Sequence, residues 1–172
     1  MLRVDLRELA QGRGGAVETR GELKQDDPAL DGTDIALQEP VVVNGRLQSI
    51  GEGRFYWQGT ARTVVKGECR RCLTPLATPL QLEIGALFTQ DQDAQDDPDS
   101  YPVAPDATEI DVTPAVREEL VLAAPRYVLC RDDCKGFCPQ CGKDLNAGSC
   151  DCAPATDARW QPLKALKDKL RS

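Results

Sequence analysis

Alternation of apolar and polar positions dominates the first half of the chain. Leu2, Val4 and Leu6 alternate with Arg3, Asp5 and Arg7, which predicts a short strand. The glycine-rich stretch 12–15 and residues 26–32 read as loops. From residue 41 the period of two is clearer: Val41, Val43 and Leu47 share one face, and Asn44, Arg46 and Gln48 share the other. Gly51-Glu52-Gly53 predicts a turn. A β-rich run over residues 54–68 follows, carrying Phe55, Trp57, Thr60, Thr63, Val64 and Val65. The cleanest strand is 80–88, with Leu80, Leu82, Ile84, Ala86 and Phe88 on one face and Gln81 and Glu83 on the other. Between these last two runs lies CRRCLTPLATP, so Cys69 and Cys72 are expected near the tip of a hairpin.

The period then changes. Residues 91–105, rich in Asp and Pro, predict a mobile loop or linker. Thr113 as N-cap and Pro114 as first helical residue predict a helix over 114–124, with Val116, Leu120 and Ala123 or Ala124 on one face and Pro125 as its stop. Residues 130–152 hold almost no apolar side chain and need a staple to fold. A last amphipathic helix is expected from Pro162, with Leu163, Leu166 and Leu170 opposite Lys164, Lys167 and Arg171. The fold class read from this is α+β: an antiparallel, β-rich core, meander or partial barrel, with a few short helices and a C-terminal zinc-stapled segment. Its expected divisions are a core over 1–129, containing the acidic loop 90–111 and the helix, a cysteine-rich segment over 130–152, and the helical tail 153–172.

Charge and composition narrow the function classes. The 172 residues include eight cysteines and no histidine, and carry a net charge of −7. Catalysis that depends on histidine is therefore excluded. Eight acids and no base fall within residues 91–111, so the rest of the chain is nearly neutral. Met1 to Ala10 lacks the apolar run of a signal peptide, and no stretch approaches the ~18 apolar residues of a membrane span. A soluble, cytoplasmic protein is the expectation.

In a reducing compartment, clustered thiols are metal ligands more often than disulfides. The cysteines fall in four pairs: Cys69 and Cys72, Cys130 and Cys134, Cys138 and Cys141, Cys150 and Cys152. One local turn aims two sulfurs at one ion, so four pairs make two tetrahedral sites, and two Zn²⁺ per chain are expected. Cys138-Pro-Gln-Cys141-Gly142 has the form of a zinc knuckle, with glycine where the turn needs a positive φ. Cys150 and Cys152 follow closely, and short closure favours one local site of these four. Cys69, Cys72, Cys130 and Cys134 then form a second, long-range site. The competing pairing joins Cys130 and Cys134 to Cys138 and Cys141. Dithiol redox chemistry and iron–sulfur ligation are further uses of such thiols, but no thioredoxin-like βαβ pattern surrounds the CPxC, and the paired turns suit zinc better.

The order of these landmarks resembles the YceD-type family of bacterial and plastid proteins, associated with accumulation of large-subunit ribosomal RNA. The matching residues are Cys69-Arg70-Arg71-Cys72-Leu73 with Pro75, Arg117-Glu118-Glu119-Leu120 leading to Pro125, and the run from Cys130 through Cys134-Lys135-Gly136-Phe137-Cys138-Pro139-Gln140-Cys141-Gly142 to Asn146. Cys150-Asp151-Cys152, Arg159-Trp160 and Leu163 close the match, whereas the first 40 residues match only loosely. The resemblance implies a non-enzymatic role in ribosome assembly, with ribosomal RNA or a large-subunit ribosomal protein as partner and neither a membrane nor a small-molecule substrate. Members that lack the second cysteine cluster but keep the first pair imply the pairing preferred above. Candidate RNA contacts are Arg62, Lys66, Arg70 and Arg71, and, on the last helix, Lys164, Lys167, Lys169 and Arg171. The plain alternative for each is a solvated charged face. A protein-protein adaptor without RNA contact and a thiol redox sensor are the competing functions.

Overall fold

The computed structural model describes residues 2–11, 15–91, 100–153 and 159. The expected C-terminal helix, with Lys164, Lys167, Lys169 and Arg171, lies outside them, as do residues 92–99 of the acidic stretch. The chain divides into two compact units, one of residues 1–67 and 75–128, the other of 68–74 and 129–172.

The first unit is built on a sheet. Its strands are β2 (Ala16–Leu23), β3 (Ala36–Leu37), β4 (Val41–Gly51), β5 (Arg54–Glu68), β6 (Pro75–Thr89) and β7 (Ser100–Pro102), in the order β2-β4-β5-β6-β7. β3 continues the line of β4, pairing with β5 at Val65 and Lys66. β2 with β4 and β4 with β5 are antiparallel, whereas β6 and β7 are parallel. The meander β4-β5-β6 is thus present, but the strand order does not close into a barrel among the described residues. β1 (Arg3–Asp5) pairs antiparallel with β8 (Glu109–Asp111) in a separate two-stranded sheet. Two helices, α1 (Leu6–Gln11) and α2 (Thr113–Ala123), complete the described unit.

The alternation read along the chain decides which face is buried. Val41, Val43 and Leu47 of β4, Phe55, Trp57, Ala61 and Val65 of β5, and Ile84, Ala86 and Phe88 of β6 are all in the core. Each large side chain so buried contributes roughly 1.5–3 kcal/mol relative to exposure. Trp57 is fully buried, and its indole lies over Gly45 and Gly59, which face each other across β4 and β5. Its Nε1 donates to Thr19 Oγ1 at 3.3 Å.

Three expectations need correction. Leu6 opens α1 instead of continuing a strand, because Asp5 Oδ1 accepts from the Arg7 amide at 2.7 Å and turns the chain. The helix cap lies one residue early: Val112 is the N-cap without a side-chain bond, and Asp111 Oδ1 accepts from the Thr113 amide at 2.9 Å. Thr113 Oγ1 instead accepts from the Leu2 amide at 3.0 Å. Parts of the presumed loop are ordered strands. β7 lies beside β6, and the Phe88 and Tyr101 rings stack at 5.1 Å. Glu109 and Asp111 on β8 both meet Arg3, at 2.5 and 3.9 Å.

Candidate metal centres

The second unit contains all eight cysteines. Its first segment is the connection between β5 and β6, and its second is the chain from Leu129 onward. The sulfurs gather in two quartets, Cys69, Cys72, Cys130 and Cys134 in one and Cys138, Cys141, Cys150 and Cys152 in the other, each with all sulfurs within 4.8 Å of one another. This is the grouping that loop length favours; the alternative pairing is not formed.

The spacing of the sulfurs tests whether a metal fits. A tetrahedral ion about 2.3 Å from each sulfur sets the sulfurs about 3.8 Å apart. Cys69 Sγ lies 3.8 Å from Cys134 Sγ, and Cys72 Sγ lies 3.6 Å from Cys130 Sγ. All eight cysteines are free of disulfides. Four thiols at this separation, with no carboxylate grouped with them among the described residues, suit a soft or borderline tetrahedral cation and leave no coordination position open.

The CxxC turns of the two quartets share one backbone design. Gly142 N donates to Cys138 O at 2.9 Å, and Cys138 N donates to Lys143 O at 2.8 Å. Leu73 N donates to Cys69 O, and Cys69 N to Thr74 O, both at 2.8 Å. The residue after the second cysteine must therefore be left-handed in each, and φ is +72° at Gly142 and +56° at Leu73. Glycine adopts this at no steric cost, whereas leucine is strained by roughly 1–2 kcal/mol. Leu73 is nevertheless 59% exposed, so burial does not offset the strain.

The turns aim amides at sulfur. Burial alone would push the Cys69 thiol up, but the backbone amides of Cys130, Cys72 and Arg71 outweigh it and hold it down at about 6. The hydroxyl of Thr74, 3.2 Å from Cys72 Sγ, and then its amide lower Cys72. The amides of Cys141 and Gln140 hold Cys138 at about 6 against burial. Four sulfurs this close cannot all ionise unaided, so one in each quartet goes the other way. Burial and then its neighbouring cysteines push Cys130 up to about 12, and Cys141 and then burial push Cys152 up to about 12.

Residues outside the ligand set fix the geometry. Arg71 Nη1 donates to Cys134 O at 2.6 Å, so this guanidinium ties one arm of the first quartet to the other. Gly136 is required twice over: its φ is +70°, and a Cβ there would lie 2.5 Å from the Arg71 carbonyl oxygen. Asn146 is the main support. Its Oδ1 accepts from Lys135 N at 2.8 Å and Arg131 Nη2 at 2.9 Å, while its Nδ2 donates to Asp144 Oδ1 at 2.8 Å and Cys134 Sγ at 3.6 Å. Asn146 thus serves the first quartet from a loop flanked by ligands of the second. Its place in the sequence signals only a turn, and the positions of Leu73 and Gly136 carry no charge or metal donor to draw notice.

Of the candidate RNA contacts, Arg62 and Lys66 belong to the first unit, on the exposed side of β5, while Arg70 and Arg71 are exposed in the second. Among the described residues no helix is long and apolar enough to cross a membrane.

Residues 57–167 match the family described as large ribosomal RNA subunit accumulation protein YceD. The chain is 30% identical over 166 residues to an uncharacterized protein of Mycobacterium tuberculosis, covering 93% of this chain and 78% of that one. It is 29% identical over 169 residues to the Zea mays large ribosomal RNA subunit accumulation protein YCED homolog 1, chloroplastic, covering 80% and 57% of the two chains. The Arabidopsis thaliana protein of the same description is 28% identical over 170 residues, covering 82% and 51%. No solved structure matches. With a match over more than half its length and two cysteine quartets inside that span, the chain belongs to the YceD family.

Proposed function

We propose that this protein is a non-enzymatic factor supporting accumulation of large-subunit ribosomal RNA, with one structural Zn²⁺ in each cysteine quartet. The observation that carries the metal assignment is the grouping of four thiols within 4.8 Å in each quartet, with no carboxylate among them in the described residues, and sulfur spacings of 3.6 and 3.8 Å in the first. Zinc with four thiolates has no site for substrate and no redox change, so it supplies folding energy instead of chemistry. The chain's own residues fit that role, since a segment with few apolar side chains needs such clamps. The ribosomal role is supported by the family match and by the printed descriptions of the plant relatives. The partner in this reading is ribosomal RNA, met by Arg62, Lys66, Arg70 and Arg71 and by the C-terminal cations Lys164, Lys167, Lys169 and Arg171, in the cytoplasm of the host cell.

One observation favours a second reading, in which a large-subunit ribosomal protein is held by the second unit. Leu73 is strained and exposed together, and Phe137 of the same unit is also exposed. Side chains kept at such cost suit a docking role.

Depletion of the protein tests the function. The ratio of large- to small-subunit ribosomal RNA should fall, and wild-type protein should restore it. An unchanged ratio would refute the proposal.

A further inference from the structure

The solvent side of the main sheet carries a groove of about 640 Å³ crossing β2, β4, β5 and β6. Register decides what it presents. Arg46 lies opposite Gln58, Gln48 opposite Tyr56, and Asn44 opposite Thr60. Three amide side chains, two arginines (Arg46, and Arg20 paired with Glu18) and one aromatic therefore share a surface to which the outward-facing positions contribute no aliphatic side chain. Tyr56 lies across the neighbouring strand: a Cβ at Gly85 would come within 2.5 Å of its hydroxyl, so the missing side chain there lets the ring reach over β6. The outward row of β5 continues from Tyr56 through Gln58, Thr60, Arg62 and Val64 to Lys66, about 33 Å at the rise of a strand, with the exposed Val42 of β4 opposite Arg62. Acids border the groove: Glu18 is paired with Arg20 at 2.9 Å, and Glu83 stands on β6. Arg46 has no carboxylate within ion-pair distance among the described residues.

We infer that this sheet face binds single-stranded RNA, with a base stacked on Tyr56, base edges on Asn44, Gln48 and Gln58, and phosphates on Arg46, Arg62 and Lys66. This rests on the reading above that the partner is ribosomal RNA, and it names the surface and the form of RNA. The chemistry distinguishes RNA from protein. The centre of a protein interface is apolar and poor in charge. This groove has amides that serve as both donor and acceptor, one stacking surface and Arg46, and the outward row of β5 carries Arg62 and Lys66 beyond it; that combination binds unpaired bases and their backbone. Duplex RNA would bury its base edges away from the amides.

The test is fluorescence anisotropy of the full, metal-bound chain with a labelled single-stranded RNA of about ten nucleotides, read as affinity against salt. Tyr56→Ala should weaken binding by roughly 5- to 100-fold, and Tyr56→Phe should retain it. Gly85→Ala should weaken binding by displacing the ring. Arg46→Gln and Arg62→Gln should each reduce the salt slope by about 0.7. If Tyr56→Ala proves unstable, Gly85→Ala and Arg46→Gln decide the matter. RNA binding that none of these variants alters would overturn the assignment of this face while leaving the ribosomal RNA reading intact. No binding of single-stranded RNA by the wild type would overturn the inference. If a large-subunit ribosomal protein were retained instead and lost with Tyr56→Ala, the face would belong to protein. Variants that lose RNA in solution yet leave ribosomal RNA levels normal in cells would refute the functional reading and keep the site.

Discussion

Replacing Asn146 by alanine should release the metal of the quartet whose ligands lie farthest from it in sequence. The substitution deletes four side-chain hydrogen bonds. Those to Arg131 and Asp144 join side chains in contact with solvent and contribute little. The bond from Lys135 N contributes about 0.5–1.5 kcal/mol, and the N–H to Cys134 Sγ, charge-assisted once the sulfur is a thiolate, about 1.5–3 kcal/mol. The sum is about 2–4.5 kcal/mol before discounting for the partial exposure of Asn146. A loss near the lower end corresponds to the 10- to 100-fold fall in metal affinity typical of residues that orient ligands. Chelator competition would measure the affinity, and amide exchange would assign it to a site. The amides of Cys69 and Leu73 should exchange faster, while those of Cys138 and Gly142 should keep more of their protection. If the Cys138 turn loosened first, or if neither affinity nor exchange changed, the reasoning about Asn146 would be wrong.

The remaining predictions concern single features of the fold. Leu73→Gly should relieve left-handed strain and raise stability by about 0.5–1 kcal/mol, seen as a higher denaturant midpoint; a lower midpoint would show that Leu73 packs usefully. Gly136→Ala should cost about 2 kcal/mol or more, because its methyl meets the Arg71 backbone and its φ is positive. Tyr101 donates to Glu118 Oε2 at 2.5 Å, and burial first, then Glu118, pushes its phenol up. The fold therefore resists its ionisation: the stabilisation is full below the ordinary tyrosine range, about 10, and lost as pH rises through the raised value. In ultraviolet titration Tyr101→Phe should remove a phenol that ionises above the ordinary tyrosine range; removal of one that ionises at about 10 would refute this.

What the sequence makes legible follows from how local the cause is. β4 and β6 are visible because apolar residues recur at alternate positions, and β5 because it is rich in aromatic and β-branched residues. β2 is hidden because its inward row reads Val17, Thr19, Gly21 and Leu23; Thr19 is there for the Trp57 indole, and a Cβ at Gly21 would lie 2.5 Å from Leu2. Both partners are remote in sequence. β7 and β8 are three residues each and exist only through pairing with β6 and β1. The quartets are legible because metal geometry needs paired thiols, and a short loop closes more cheaply than a long one. Asn146 and Leu73 are not legible. One acts through bonds to residues 2 to 15 positions away, and the other takes a glycine's conformation without being glycine.

The two-site account meets its most direct test in the metal content of the chain, purified without chelator. Elemental analysis should give two zinc ions per chain and no iron, with a spectrum free of visible absorption. One zinc or fewer would contradict the pair of quartets as structural centres, and a brown protein with iron would replace zinc by a cluster.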